Sequence, residues 1–556
     1  MNDRDKRINP QNISLTLWHV NLIISLIFVI IYNVFFWKEI AFIIKPNTFK
    51  DYQLIGSLVL FLIFMINLIL SLFTFRFSAK PILVTLFLLS AICLYFISQY
   101  NIVIDGEMVR NVIETNSSEA KDLLSLKLLF YVLFLGILPA YLVTRINIKN
   151  QTIWQLLTEK IKVLIITVMA VGLIVYTQYP SFASIARSNH HLSHMILPTN
   201  FIFGSFTYIK ERFNQSSAPF NDISKNAFRG PNHEQKEVIV LIVGETARAD
   251  RFSINGYQTE TNPELKKRNL INFKQTSSCG TSTAVSLPCL FSHLNRKTYS
   301  QKEGKNTANL LDFLDEAGFD VQWRDNNTGC KGICKRIDYL DLANAQDEKL
   351  CSSGECYDEI LIKGLREQIL NNPNNQFIVL HQKGSHGPAY YLRYPQSFEK
   401  FNPTCENILL QNCTTEALNN TYNNTILYTD HFINETIKLL ESLPESTSTQ
   451  LVYISDHGES LGENNLYLHG TPYVIAPEAQ THVPFFYWNN HQTKSEMVDF
   501  ACLQSKQNHP FSHDNVFHSM LGLSQVSTAY YKPELDIFES CMSKEPSNLT
   551  ANITLE

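Results

Sequence analysis

The chain has 556 residues, a formal net charge of −5 and 17% charged residues. A mildly acidic chain without a polybasic run excludes nucleic acid as an expected partner. The charged fraction is low because long apolar stretches fill the first third, so a membrane portion is expected ahead of a globular one.

A bilayer core needs about 20 mostly apolar residues per helix. Five stretches meet or approach that: residues 17–37, 54–75, 81–100, 123–143 and 163–179. The first is not a signal peptide, since it lacks a small-residue cleavage site and more spans follow. Arg4, Lys6 and Arg7 precede it, Arg76 and Lys80 separate the second and third, and Arg145, Lys149, Lys160 and Lys162 separate the fourth and fifth. By the positive-inside rule these segments are cytoplasmic. Lys38, Lys45 and Lys50 blur the pattern without reversing it. Five crossings from a cytoplasmic start put everything after Pro180 beyond the inner face. Within residues 108–120, Asn111, Thr115 and Glu119 recur at four-residue intervals, which would place them on one helix face. Three such residues also describe a merely solvated face.

Residues 1–180 are thus expected as a helical membrane domain and residues 181–235 as an interfacial connector, with the stretch 195–208 too short and polar for a sixth span. From 236 to 541, strand patterns at 238–243, 319–323, 377–380 and 451–454 alternate with helical patterns at 310–317, 359–370 and 424–443. That alternation predicts an α/β catalytic domain with a largely parallel central sheet. The Asn-rich tracts 371–375 and 419–424 read as turns, and residues 542–556 as a polar tail.

Of 11 cysteines, only Cys93 lies in a span. The other ten fall into close pairs, Cys279/Cys289, Cys330/Cys334, Cys351/Cys356 and Cys405/Cys413, leaving Cys502 and Cys541 to meet across a longer loop. An even count confined to the outer portion suits an oxidising compartment and a disulfide framework. A zinc ribbon is the competing use, but the Cys330/Cys334 spacing has no partner knuckle. Spacing alone leaves the connectivity open.

Two apolar, β-branched runs end abruptly at metal-ligand types: VIVLIVGET (residues 238–246) closes on Glu245, and LVYISDHGES (residues 451–460) on Asp456 and His457. Such runs read as buried parallel strands, whose carboxyl ends gather ligands in open α/β sheets. A carboxylate and an Asp-His pair suit Zn²⁺, which accepts oxygen and imidazole together; a turn with a surface His is the plainer alternative. A third element, Cys279-Gly280-Thr281-Ser282-Thr283, leads into a helix over 284–294 despite Pro288. Hydroxyls there sit where the backbone favours anions, and a base or metal would be needed to make one nucleophilic. An N-cap cluster explains the same residues. Spacing does not choose among Thr281, Ser282 and Thr283.

GETARAD (244–250), SCGTSTAVSLPC (278–289), WRDNN (323–327), LHQKGSHGPAYY (380–391) and SDHGESLGENNLYLHG (455–470) occur in order. Together they resemble the lipid A phosphoethanolamine transferases of Gram-negative bacteria, including the mobile colistin-resistance enzymes. The resemblance covers essentially the whole chain and implies five spans followed by a periplasmic domain of the alkaline phosphatase/sulfatase superfamily. It further implies Glu245, Asp456, His457 and Thr283 as zinc ligands, with Thr283 also the nucleophile. His386 and His469 would lie near the phosphate or a second zinc. Thr281, Thr328 and Lys331 would line the head-group pocket, with Thr328 replacing the family's Ser, and Asn111, Thr115 and Glu119 would contact the lipid head group.

The implied activity is transfer of phosphoethanolamine from phosphatidylethanolamine to lipid A or the lipopolysaccharide core, by a monomer in the inner membrane. That would lower surface negative charge and confer resistance to cationic peptides and polymyxin. A membrane-anchored phosphodiesterase or phosphatase that releases the head group to water would use the same zinc and threonine. A non-enzymatic sensor would lack a ligand or the nucleophile, and every one is present.

Overall fold

The computed structural model describes residues 14–115, 120–121, 123–188, 190–216, 219–230, 235–352, 355–490 and 498–542. It divides into two compact units, Met1–Val109 with Leu124–Thr207, and Arg110–Leu123 with Tyr208–Glu556.

Among the described residues of the first unit, four helices are long and apolar enough to cross a membrane: Phe49–Phe73, Ala79–Tyr100, Leu126–Arg145 and the Ile153–Gln178 part of a longer helix. The expected first span is not one straight helix. Leu17–Tyr32 and Val34–Ile44 meet at a 61° bend, making a fifth crossing only if the pair counts as one span. Asn33 occupies the bend, and its amide donates to the carbonyls of Phe28 and Leu197 at 2.9 and 2.8 Å. Its carbonyl oxygen accepts the Leu197 N–H at 2.9 Å. A polar side chain thus supplies the hydrogen bonds that a break in an apolar helix would otherwise forfeit. The segment read as a connector holds a 3₁₀ turn, His190–Met195, and the helix Thr199–Ser216.

The second unit is built on a seven-stranded sheet. Its strands are β1 (Lys236–Gly244), β2 (Ile271–Asn272), β3 (Asp320–Asp325), β4 (Asp338–Asp341), β5 (Gln376–His381), β6 (Thr447–Ser455) and β7 (Phe485–Asn489), in spatial order β2-β7-β6-β1-β5-β3-β4. The five from β6 to β4 run parallel, and β7 and β2 close the other side antiparallel. In β1, Ile239, Leu241 and Val243 join one apolar cluster while Val238, Val240 and Ile242 join the other. A strand buried on both faces cannot alternate apolar with polar, which is why its sequence is an unbroken apolar run. Helices cover both faces: Leu310–Glu316 and Val516–Leu523 on one, and the long helix Thr415–Glu441 on the other.

Two helical expectations change. The single helix over 359–370 is two pieces, Asp358–Ile362 and Leu365–Asn371. Gly364 between them has φ +70°, a left-handed conformation that ends helical propagation. The helix expected from 424 starts at Thr415, capped by the Thr414 hydroxyl, which accepts the Ala417 N–H at 3.1 Å. The 419–424 tract is therefore helical rather than a turn. Its buried Asn424 accepts the Lys400 and Phe401 N–H groups at 3.0 and 2.9 Å, so tertiary partners outweigh local propensity.

Five disulfides join Cys279 to Cys289, Cys330 to Cys334, Cys351 to Cys356, Cys405 to Cys413 and Cys502 to Cys541. Cys93 is free.

Candidate active site

The register of the parallel strands brings their carboxyl ends level: Ser455 pairs with Gly244, Val243 with His381, and His381 with Asp325. The residues just beyond these ends therefore converge at one edge. Glu245, Asp456 and His457 offer one ligand atom each, all within 4.8 Å of one another, and all three are buried. Gly384, at φ +53°, lies so near Glu245 that an added Cβ would stand 2.7 Å from the Glu245 carbonyl oxygen, so no larger residue fits there.

The cluster is held by directional bonds. Asp456 Oδ1 accepts the N–H groups of His457 and Thr246 at 2.7 and 3.2 Å. Its buried Oδ2 has no hydrogen-bond partner among the described residues and stands 3.4 Å from His457 Nε2. His457 Nδ1 bonds the Gly458 carbonyl at 2.9 Å, which puts the proton on Nδ1 and leaves the Nε2 lone pair facing the carboxylates. Burial pushes its pKa down to about 4, so the imidazole is neutral at physiological pH. Two carboxylates, a neutral imidazole and a hydroxyl are a donor set that fits a divalent zinc ion.

Thr283 supplies that hydroxyl. It opens α1 (Thr283–Leu290), whose last turn is tied through Cys289 to Cys279 in the loop ahead of the helix. Its Oγ1 donates to Glu245 Oε2 at 3.0 Å and lies 3.3 Å from His457 Nε2. Ser282, the N-cap residue, makes no side-chain capping bond. Thr281 turns away: its hydroxyl donates to the Thr471 carbonyl at 2.7 Å. Of the three hydroxyls, only that of Thr283 hydrogen-bonds the Glu245 and His457 side chains.

A cavity of about 40 Å³ opens over Thr283, lined by Asn111, Glu114, Thr115, Ser282, Thr283, Ala284, Thr328, Lys331, His386 and His469, all of the second unit. Lys331 Nζ donates to Thr328 Oγ1 at 2.7 Å. The His386 and His469 rings are 5.5 Å apart, and His469 is 4.5 Å from the His457 ring. His469 Nδ1 stands 3.3 Å from Glu459 Oε1, a fully buried carboxylate. Asn111 belongs to the helix Gly106–Glu114; Thr115 follows its last residue, donates its hydroxyl to the Asn111 carbonyl at 2.6 Å and lines the same cavity, so these two share a face as expected. Glu119 lies outside the described residues.

Several residues escaped sequence reasoning. Asn327 donates to Glu245 Oε2 at 2.7 Å and to the Gln382 carbonyl at 2.8 Å, steadying the carboxylate. Its position in WRDNN was the available signal. Behind it, His381 Nδ1 bonds Asp325 Oδ2 at 2.9 Å, both groups fully buried. His513 Nδ1 accepts the Cys279 N–H at 3.2 Å, and its Nε2 donates to the Ser455 carbonyl at 3.0 Å. It ties the Thr283 loop to the end of β6, and nothing in its local sequence announces that.

The family model described as Sulfatase matches residues 237–526, and that described as Phosphoethanolamine transferase EptA/EptB matches residues 62–213. Phosphoethanolamine transferase EptA of Escherichia coli (strain K12) is 39% identical over 516 residues, covering 92% of this chain and 94% of that protein. The structure of the integral membrane protein lipooligosaccharide phosphoethanolamine transferase A from Neisseria meningitidis matches with a TM-score of 0.92 at 33% identity, covering 96% of this chain and 100% of that one. The soluble domain of the Neisseria meningitidis enzyme, solved separately, matches at 40% identity and a TM-score of 0.57, over 59% of this chain and 99% of that one. With identity sustained across both units, the chain belongs to the phosphoethanolamine transferase family.

Proposed function

We propose that the chain transfers phosphoethanolamine from phosphatidylethanolamine to lipid A or the lipopolysaccharide core, through a covalent intermediate on Thr283 at a zinc site. One observation carries this reading: the Thr283 hydroxyl points into the Glu245–Asp456–His457 cluster, 3.0 Å from Glu245 and 3.3 Å from His457. Glu245, Asp456, His457 and Thr283 would hold the metal. Zinc, when bound, would polarise a phosphoryl oxygen and lower the pKa of a neighbouring hydroxyl.

The chain's own groups supply the rest. Glu245 Oε2 accepts the Thr283 proton, and the oxygen attacks phosphorus. The new bond is Thr283 Oγ1–P, and the bond broken joins phosphorus to the glycerol oxygen, which departs with a proton as diacylglycerol. An acceptor oxygen then bonds the same phosphorus, the Thr283 Oγ1–P bond breaks, and Thr283 takes back a proton from the proton-carrying groups of the cavity, which restores its hydroxyl. Lys331, His386 and His469 line the cavity where the phosphoryl charge develops and stabilise it or carry protons. Thr328, Asn111, Thr115 and Glu119 complete the head-group contacts in this reading, with Thr281 acting through the loop it fastens.

Donor and acceptor are both amphiphiles, so tethering the catalyst to a membrane raises its encounter with them. The apolar helices would lie in the bacterial inner membrane and residues 236–541 in the periplasm, an oxidising compartment in which five disulfides persist. Residues 181–235 would act as connector and 542–556 as a tail. An amine added to a surface phosphate offsets its charge and weakens cationic-peptide and polymyxin binding.

The test is mass spectrometry of lipid A and core oligosaccharide from cells with and without the protein. One added phosphoethanolamine on glycolipid is the expected result. Free phosphoethanolamine in solution with unmodified glycolipid would instead establish the phosphodiesterase.

A further inference from the structure

In the segment GTPYVIAP (residues 470–477) no residue is charged. At its tip, in the turn Tyr473–Ile475, Val474 is 93% exposed and Ile475 46%. Among the described residues after Lys236, these are the two most exposed large hydrophobic side chains. Leaving a valine almost wholly in water forfeits the stabilisation its burial would bring, and a single aliphatic pair is too small to seat a protein partner.

The segment is fastened to the loop that carries the nucleophile. The Tyr473 hydroxyl donates to the Ser278 carbonyl at 2.9 Å, and the Arg296 guanidinium sits 3.3 Å over the Tyr473 ring. Thr281 donates to the Thr471 carbonyl at 2.7 Å and accepts the Gly470 N–H on its own carbonyl at 2.8 Å. Thr471 N–H donates to Gln480 Oε1 at 3.1 Å. Pro472 and Pro477 restrict the backbone on either side. An aliphatic tip is therefore presented rigidly, at little entropic cost on binding, and is tied to residues 278–281, immediately before Thr283.

We propose that Val474 and Ile475 contact lipid hydrocarbon, taking an acyl chain of an amphiphilic substrate whose phosphate is at Thr283. The proposal rests on the lipid-transferase reading for the identity of that substrate. Membrane lipid is the occupant because the pair offers apolar area with no polar group to orient a soluble ligand, and because its anchor is the nucleophile loop.

Two measurements on the full-length protein test it. In detergent micelles containing phosphatidylethanolamine with brominated acyl chains, an indole introduced by Val474→Trp is expected to be quenched relative to the unbrominated lipid, beyond the quenching of the five native tryptophans measured in the parent protein. One introduced by Leu370→Trp, on the helix that precedes the amino end of β5, is expected to be unaffected. Second, the double variant Val474→Ser with Ile475→Ser is expected to lose about tenfold in its preference for phosphatidylethanolamine over glycerophosphoethanolamine, which has the same head group and no chains. An unquenched indole, or an unchanged preference, overturns the proposal. Quenching in a protein that transfers from neither donor would keep the lipid contact and remove the transferase reading instead.

Discussion

Acid should loosen the catalytic unit in a way that one buried imidazole makes measurable. His513 is 1% exposed; its Nδ1 accepts the Cys279 N–H and lies 3.3 Å from Ser286 Oγ, its Nε2 donates to the Ser455 carbonyl, and these contacts require a neutral ring with the proton on Nε2. Burial lowers its pKa from the ordinary 6.5 to about 4. Between those values the unfolded chain binds a proton that the folded chain refuses, so stability is fully present above 6.5 and is lost as pH falls toward 4. The loss from His513 alone is about 2 kcal/mol by about pH 5 and about 3 kcal/mol at its limit. His457 and His518, both also lowered to about 4 by burial, add to the slope of the whole protein, so a variant must isolate the term.

His513→Asn keeps an acceptor for Cys279 N–H, loses the donor to Ser455 and cannot titrate. Near neutral pH it should be less stable than the parent by about 1–3 kcal/mol, the cost of one lost buried hydrogen bond and some packing. Denaturant unfolding of the full-length protein, followed by the fluorescence of buried Trp323 and Trp488, measures both proteins across the pH range. The stability gap should shrink by about 2 kcal/mol between about pH 7.5 and about pH 5. A gap that stays constant with pH would refute the claim that His513 is neutral because it is buried.

Other outcomes are expected at the site and in the framework. Thr283→Ala should reduce transfer by at least about a thousandfold with the fold intact, while Thr283→Ser keeps the oxygen and some activity. Intact-mass and peptide analysis should place a phosphoethanolamine adduct on Thr283, and an adduct on Ser282 would disprove the assignment. Asp456→Ala combined with His457→Ala should abolish bound zinc measured by elemental analysis, and full occupancy in that variant would sink the ligand set. Replacing Cys502 and Cys541 by Ser opens a link spanning 39 residues and should cost about 4 kcal/mol in denaturant unfolding, whereas the four-residue Cys330–Cys334 link should cost about 2 kcal/mol. Equal losses would contradict the chain-entropy account of these bridges.

The metal-ligand types were visible in the chain because burial on two faces forces an apolar run, and the run's end marks where a strand leaves the core. Glu245, Asp456 and His457 stand at such ends, so residue chemistry and strand placement pointed the same way. The first span was less legible: Asn33 reads as one polar residue in an apolar stretch, and its partner Leu197 lies 164 residues away. The first turns of the long helix, from Thr415 to the expected start at Asn424, were missed for a similar reason, since Asn424 is satisfied by Lys400 and Phe401, which its local sequence does not reveal.

By itself, the sequence carried legible signals for the membrane helices, the α/β class of the second unit, the five cysteine pairs and the residue types that gather at the strand ends. These depend on composition, period and residue type, which are local properties. Residue spacing left Thr281, Ser282 and Thr283 equivalent and only the family resemblance favoured Thr283; the tertiary structure gives the physical reason, because α1 begins at Thr283 while Thr281 is drawn off to Thr471. That structure also decided that Asn327 braces Glu245 and that His513 fastens the loop leading to Thr283 to β6. Those roles depend on distances between residues 58 to 234 positions apart, set by strand register and packing rather than by any pattern within a short window.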